Sequence, residues 1–205
     1  MTDARAAILE RIHRSRPRAP ADFTRADVPL PRVEADRVAG FSEHARRLSS
    51  DVVGPVAPAQ ACAEIVRYLR ERELPQTAVC WPALARLDWR NNGITVEARA
   101  ARGDDLVGIS GAFCAIAETG TLMLLSGPET PASVSLLPET HVVLLPVERL
   151  VARMEDAWAL LRREHGELPR AVNFVSGPSR TADIEQTVTL GAHGPYRVFI
   201  VLISE

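Results

Sequence analysis

The sequence predicts an α/β domain built on a largely parallel sheet. Three observations carry that expectation. Segments with helical periodicity alternate with short apolar runs along most of the chain, the order that lays helices over the faces of a parallel sheet. Residues 140–146 read Thr-His-Val-Val-Leu-Leu-Pro, apolar at consecutive rather than alternate positions, as in a strand covered on both faces. The 205 residues suffice for one sizeable domain and are short for two.

The elements follow in order. Residues 3–14 place Ile8, Leu9 and Ile12 at helical spacing, with Arg5, Glu10 and Arg11 on other faces. Residues 15–38 are rich in Pro, Arg, Ala and Asp and read as an extended arm, either docking a partner or strapped along the domain. A helix is expected from Phe41 to Ser49, leading into a strand over 51–56. Ala59 to Glu73 reads as a helix, with Ala63, Ile65, Val66, Tyr68 and Leu69 apolar. Strands are expected from Thr77 to Trp81 and from Ile94 to Ala98. Ala115–Ala117 and Leu122–Leu125 flank Glu118-Thr119-Gly120-Thr121 as a hairpin. Beyond the strand at 140–146, residues 150–164 read as a helix, with Leu150, Met154, Ala157, Trp158 and Leu161 on one stripe and Gly166 as its stop. Ala171–Val175 reads as a strand, Ala182–Thr189 as a short helix and Arg197–Ile203 as a final strand. No internal repeat is visible.

Composition narrows the function classes. Apolar content of 46% and charged content of 24% are ordinary for a globular chain. A net charge of −2 gives no basic stripe, which argues against nucleic acid as a partner. All 24 basic residues are Arg, so Schiff-base and P-loop lysine chemistry are excluded. Any anion must be held by guanidinium groups, backbone N–H groups or hydroxyls. Cys62, Cys80 and Cys114 are widely spaced and form no Cys-x-x-Cys pair, which argues against an iron–sulfur cluster, a structural zinc or a disulfide framework. The histidines fall in no metal-ligand spacing, so no metal and no resident cofactor are expected. No apolar run approaches the ~20 residues that span a bilayer, and the first residues do not read as a signal peptide, so membrane insertion is not expected and a cytoplasmic location is.

Chemistry-bearing residues concentrate in two glycine-containing loops. The first is Glu118-Thr119-Gly120-Thr121; the second runs from Ser176 to Glu185 and is followed by Gly191-Ala192-His193-Gly194-Pro195. Glycines with hydroxyls and one charge at the end of an element are a common way to cradle a small anion. In the second loop Gly177 permits close backbone approach, Ser176, Ser179 and Thr181 offer hydroxyls, Thr181 can cap the helix expected after it, and Arg180 can clamp a carboxylate or phosphate. Because that loop is read as strand-to-helix, it is expected at the carboxyl end of a sheet strand. Arg180 can equally pair with Asp183 or Glu185. Glu118 can serve as an acid–base group in a partly desolvated turn, or anchor that turn to backbone amides or to Arg180. His193 is read as a ligand contact or as a turn histidine bonded to backbone, and His141 as a polar contact or a cross-sheet bond. Gly108-Ile109-Ser110-Gly111-Ala112 misses the nucleophile elbow, because Ala112 stands in place of its last glycine.

Glu-Thr-Gly-Thr at 118–121, Ser-Leu-Leu-Pro-Glu-Thr-His at 135–141, Ser-Gly-Pro-Ser-Arg-Thr-Ala-Asp-Ile-Glu at 176–185 and the Gly-x-His-Gly-Pro turn together resemble the LUD domain family, of the lactate utilization protein C type. The resemblance is strongest from Gly108 to Ile203. It implies a three-layer α/β fold of the NagB/RpiA/CoA-transferase kind over residues 41–205, with 1–40 as an N-terminal helix and arm. It also implies an accessory, non-redox subunit of L-lactate oxidation to pyruvate, working beside iron–sulfur protein partners and offering a small-anion pocket. An Arg that such proteins commonly carry before the Ser-Leu-Leu-Pro run is absent, Pro131-Ala132-Ser133-Val134 standing there. The alternative is a free-standing enzyme of the CoA-transferase or isomerase kind. There Glu118 would act on a small carboxylate, thioester or sugar phosphate, by analogy of fold.

Overall fold

The computed structural model describes residues 3–15, 35–181, 189–191 and 193–204. The chain divides into two units, Met1–Arg32 and Val33–Glu205. In the first, helix α1 (Asp3–Ser15) forms as its periodicity predicts and leaves Ile8, Leu9 and Ile12 exposed. Most of the expected arm, residues 16–34, lies outside the described residues.

In the second unit, β1 (Asp51–Val56), β2 (Thr77–Cys80), β3 (Thr95–Ala98), β4 (Val107–Gly111), β7 (Thr140–Pro146) and β12 (Arg197–Ile203) form a six-stranded sheet in the order β1-β12-β7-β4-β2-β3. Every pairing in it is parallel. A second sheet, in the order β8-β5-β6-β9, is made of β5 (Cys114–Ile116), β6 (Thr121–Leu125), β8 (Leu150–Val151) and β9 (Val172–Val175). β5 and β6 form the expected hairpin, and β6 pairs antiparallel with β9. The helices are α2 (Arg37–Arg47), α3 (Pro58–Glu71), the single turn α4 (Ser133–Leu136) and α5 (Met154–Glu164).

The consecutive apolar positions of the central strands now have a reason. Val142 and Leu144 of β7, with Phe199 and Val201 of β12, face α3 through Ala61, Ile65 and Leu69. Val143 and Leu145, with Val198, Ile200 and Leu202, face the opposite way, against Phe41 and Ala45 of α2, Val134 of α4 and Leu122 and Leu124 of the small sheet. The outer side of the small sheet, Cys114, Ile116, Met123 and Leu125, is closed by Ala157, Leu160 and Leu161 of α5. The result is a three-layer α/β fold: α3, the parallel sheet, and a mixed layer of α2, α4 and the small sheet backed by α5.

Several boundaries differ from the sequence reading. α2 starts at Arg37 rather than Phe41, because Asp36 accepts from the Val38 and Ala39 N–H groups, both at 3.0 Å, and caps it there. β4 went unread, since Gly108, Ser110 and Gly111 dilute its apolar pattern. Leu150 belongs to strand β8, not to the following helix. α5 begins at Met154, where Asp156 accepts from the Arg153 N–H at 3.0 Å. Residues 182–188 of the short helix expected at the end of the second loop lie outside the described residues. Thr189, its last residue, pairs instead in a two-stranded ribbon of β10 (Arg180–Thr181) and β11 (Thr189–Leu190), so Thr181 sits in a strand.

Candidate functional site

The pairing of β6 with β9 brings the two glycine loops side by side, Leu122 opposite Val175. Thr121 Oγ1 and Ser176 Oγ bond across them at 2.8 Å. Both loops then press on the carboxyl end of α2. Gly120 (φ +65°) lies where a Cβ would come within 2.3 Å of the Ala45 nitrogen, and Gly177 (φ +84°) where one would come within 2.1 Å of the Leu48 carbonyl oxygen. Both positions need positive φ and backbone-to-backbone approach, which only glycine supplies without strain. His44 Nδ1 bonds the Ala117 carbonyl at 2.9 Å on the same seam. The space between the loops is thus filled by the end of a helix.

The individual candidates separate accordingly. Glu118 is half-buried and accepts from the Met154 N–H at 3.0 Å, and its own N–H donates to the Ala152 carbonyl at 3.1 Å. It therefore anchors the amino end of α5, where a carboxylate also complements the helix dipole. Thr119 and Ser176 are exposed. Ser179 joins the second loop to the Gly-x-His-Gly-Pro turn: its N–H donates to the Pro195 carbonyl at 2.8 Å, and its carbonyl accepts from the Gly191 N–H at 2.9 Å. His193 is exposed on that turn. Arg180 donates to Ser49 Oγ, while Asp183 and Glu185 lie outside the described residues. His141 is fully buried, bonded through Nε2 to Ser110 Oγ at 2.8 Å across β4 and β7, and desolvation lowers its pKa to about 3. The three cysteines are all buried, and burial pushes Cys80 and Cys114 up to about 11. Such thiols are packed rather than reactive.

The second loop does not sit at the carboxyl edge of the parallel sheet. The strand that feeds it, β9, belongs to the small sheet, and its far end returns through Tyr196 to the start of β12. The loop therefore lies at the amino end of the central strands. There an open cleft of about 460 Å³ is lined by Arg46, Ser49, Ser50, Asp51, Arg72, Pro178, Arg180, Tyr196 and Arg197. Among the described residues singled out in the sequence, Arg180 is the one that lines it.

The cleft wall is built by short-range logic. Ser49 takes a positive φ of 66° as the chain leaves α2, and the Ser50 N–H closes the turn on the Ala45 carbonyl at 3.0 Å. Arg46, in the last turn of α2, reaches the Val52 carbonyl at 2.9 Å. Asp51 accepts from Tyr68 Oη at 2.9 Å and from Arg72 at 2.8 Å, and Arg72 lies over the Tyr68 ring. Burial first, then the bond to Asp51, push the Tyr68 hydroxyl well above its ordinary pKa. Arg197 stacks on the Tyr196 ring. The signal for these residues was faint in the sequence: a Ser-Ser-Asp step between a helix and a strand, with arginines at three separate element ends.

Among the described residues there is no group of three or more His, Cys, Asp or Glu suited to hold a metal, and no helix long and apolar enough to cross a membrane.

One solved structure resembles this fold, and several curated proteins are similar to the chain in sequence. A protein described as a DUF162 family protein from Deinococcus radiodurans superposes with a TM-score of 0.64 over 85% of this chain and 99% of its own, at 21% identity, which speaks to the fold alone. The chain is similar to lactate utilization protein C of Bacillus licheniformis, 33% identical over 129 residues covering 57% of this chain and 54% of that protein. It is also similar to lactate utilization protein C of Shouchella clausii, 37% identical over 126 residues covering 60% and 54%. The chain thus spans about half the length of the curated relatives it matches. The LUD domain profile matches residues 58–203, from the start of α3 to the end of β12. With the hairpin, the second loop and the last strand all inside that span, the chain belongs to the LUD domain family.

Proposed function

We propose that the protein is an accessory, non-redox component of bacterial L-lactate utilization, supporting oxidation of lactate to pyruvate in the cytoplasm beside iron–sulfur protein partners, and that it carries a small-anion pocket. The observation that carries the reading is the similarity, over 126 to 135 residues, to proteins named lactate utilization protein C. Electron transfer is assigned to the partners, in keeping with three cysteines packed inside apolar clusters of this chain. The arginine-lined cleft supports the anion pocket. The engagement of Glu118 with the head of α5 supports an anchoring role over that of a nucleophile.

The experiment is a deletion of the gene in a host with no other lactate route. Growth on L-lactate should be lost and growth on pyruvate kept, and the wild-type gene should restore growth on L-lactate. A deletion strain that grows normally on L-lactate would overturn the reading.

A further inference from the structure

We infer that the arginine-lined cleft at the amino ends of β1 and β12 binds a small anion with two or more negative charges, of the phosphate-ester or diphosphate class. The inference rests on the anion-pocket part of the reading above and goes beyond it in naming the ligand's charge and chemistry.

Charge comes first. Four guanidinium groups, Arg46, Arg72, Arg180 and Arg197, line the cleft against one carboxylate, Asp51, and that carboxylate is already held by Arg72 and Tyr68. Among the described residues, Arg46, Arg180 and Arg197 enter no ion pair. Their contacts are with a carbonyl, a hydroxyl and a ring. Three cations converging with no ion-pair partner among the described residues is an arrangement that an anion relieves.

Unmet hydrogen-bonding capacity comes second. Ser50 is 4% exposed and its Oγ has no partner among the described residues, although the residue lines the cleft. Arg197 Nη1 is buried and also has no partner among the described residues. Buried polar atoms in native proteins are nearly always satisfied, and an orphaned charged donor is the costly case. A hydroxyl and a guanidinium N–H beside one cleft are matched by the oxygens of one oxyanion.

Size and shape decide between anions. A volume of about 460 Å³ falls in the range of metabolite sites, roughly 300–1,000 Å³. A monocarboxylate such as lactate would neutralise one of the three cations that have no ion pair among the described residues, and leave most of that space empty. A phosphate group presents several oxygens in different directions, which suits guanidinium groups arriving from α2, the second loop and β12. The Tyr196 ring, 37% exposed, offers a flat apolar wall for the organic part of such a ligand.

The test is calorimetric titration of the purified protein at low ionic strength with inorganic pyrophosphate, alongside citrate and L-lactate. Saturable one-to-one binding of pyrophosphate is expected, weakened by added salt. It should weaken about tenfold or more in Arg180→Ala and Arg197→Gln and stay unchanged in Arg163→Ala, an exposed arginine elsewhere on α5. Should Arg197→Gln fail to fold, Ser50→Ala takes its place beside Arg180→Ala. No saturable pyrophosphate binding, or equal binding by wild type and the cleft variants, overturns the proposal. So does tight citrate or L-lactate binding at these residues with pyrophosphate silent, although an L-lactate result would leave the small-anion reading standing. The growth assay is independent of all these outcomes, so failure of the lactate role and failure of the cleft assignment are told apart.

Discussion

Gly120 and Gly177 meet α2 backbone to backbone, and a single methyl group is enough to test that contact. Gly120→Ala and Gly177→Ala each place a Cβ on backbone atoms at a positive φ, so each should lower stability by about 2 kcal/mol or more in urea denaturation. Gly166→Ala, with open space around its Cβ and no positive φ, should change it by less than about 0.5 kcal/mol. His141 makes a different prediction. Its folded pKa of about 3 lies below the ordinary value near 6.5, so the unfolded chain takes up a proton that the folded chain refuses. The stability tied to neutral His141 is full above pH 6.5 and falls as pH drops from there toward 3, by about 1.4 kcal/mol per unit. Arg99 holds Asp105 below its ordinary pKa, so that group adds its own loss only in more acid solution. Unfolding measured from pH 7 to 4.5 should therefore show a flatter slope for His141→Leu than for wild type; in that variant Ser110 can still donate to the Gly111 carbonyl. At this scale the sequence read residue types well and partners poorly. It flagged Gly120, Gly177 and Glu118 as special, but the partners that explain them, Ala45, Leu48 and Met154, stand 75, 129 and 36 positions away and leave no local trace.

Elements were legible where burial imposes a pattern along a few residues. β7 and β12 were read correctly because both their faces are covered, and α3 because one face is. β8 was missed because two residues make no pattern, and β4 because its glycines and serine hide one. The start of α2 was misplaced because Gly40 and Ser42 break the apolar run, although Asp36 in front of it is a helix-capping residue. Asp36→Ala removes the acceptor of two N–H groups and should cost about 1 kcal/mol in thermal or urea unfolding. Glu118 gives the matching test for α5. Glu118→Gln keeps an oxygen for the Met154 N–H and loses only the charge–dipole contribution, about 0.3–1 kcal/mol, whereas Glu118→Ala loses the bond as well and should be the less stable of the two. If Glu118 acts only as an anchor, the Gln variant supports growth on L-lactate as wild type does.

The architecture of the molecule was legible as a class and not as a map. Alternating elements predicted the parallel sheet, but not that residues 114–125, 150–151 and 172–175 leave it to form a second one. That departure moves the second loop from the expected carboxyl edge to the amino edge and gives the arginine cleft its walls. No local signal encodes such a choice, because it depends on which strands find each other across the whole chain. The position of β12 has a further bearing on how the protein is made. β1 lies at the edge of the sheet with β12 as its sheet neighbour, and Asp51 pairs with Phe199, 148 residues later (199 − 51). While the ribosome adds the intervening chain, on the order of ten seconds, β1 waits unpaired and β7 keeps the edge meant for β12 open. A nascent chain stalled before residue 197 should be soluble only with a chaperone holding those edges, and one ending at Pro195 should show no cooperative unfolding transition. Within the parallel sheet β12 follows both of its neighbours in the chain, and only its arrival closes the gap between β1 and β7.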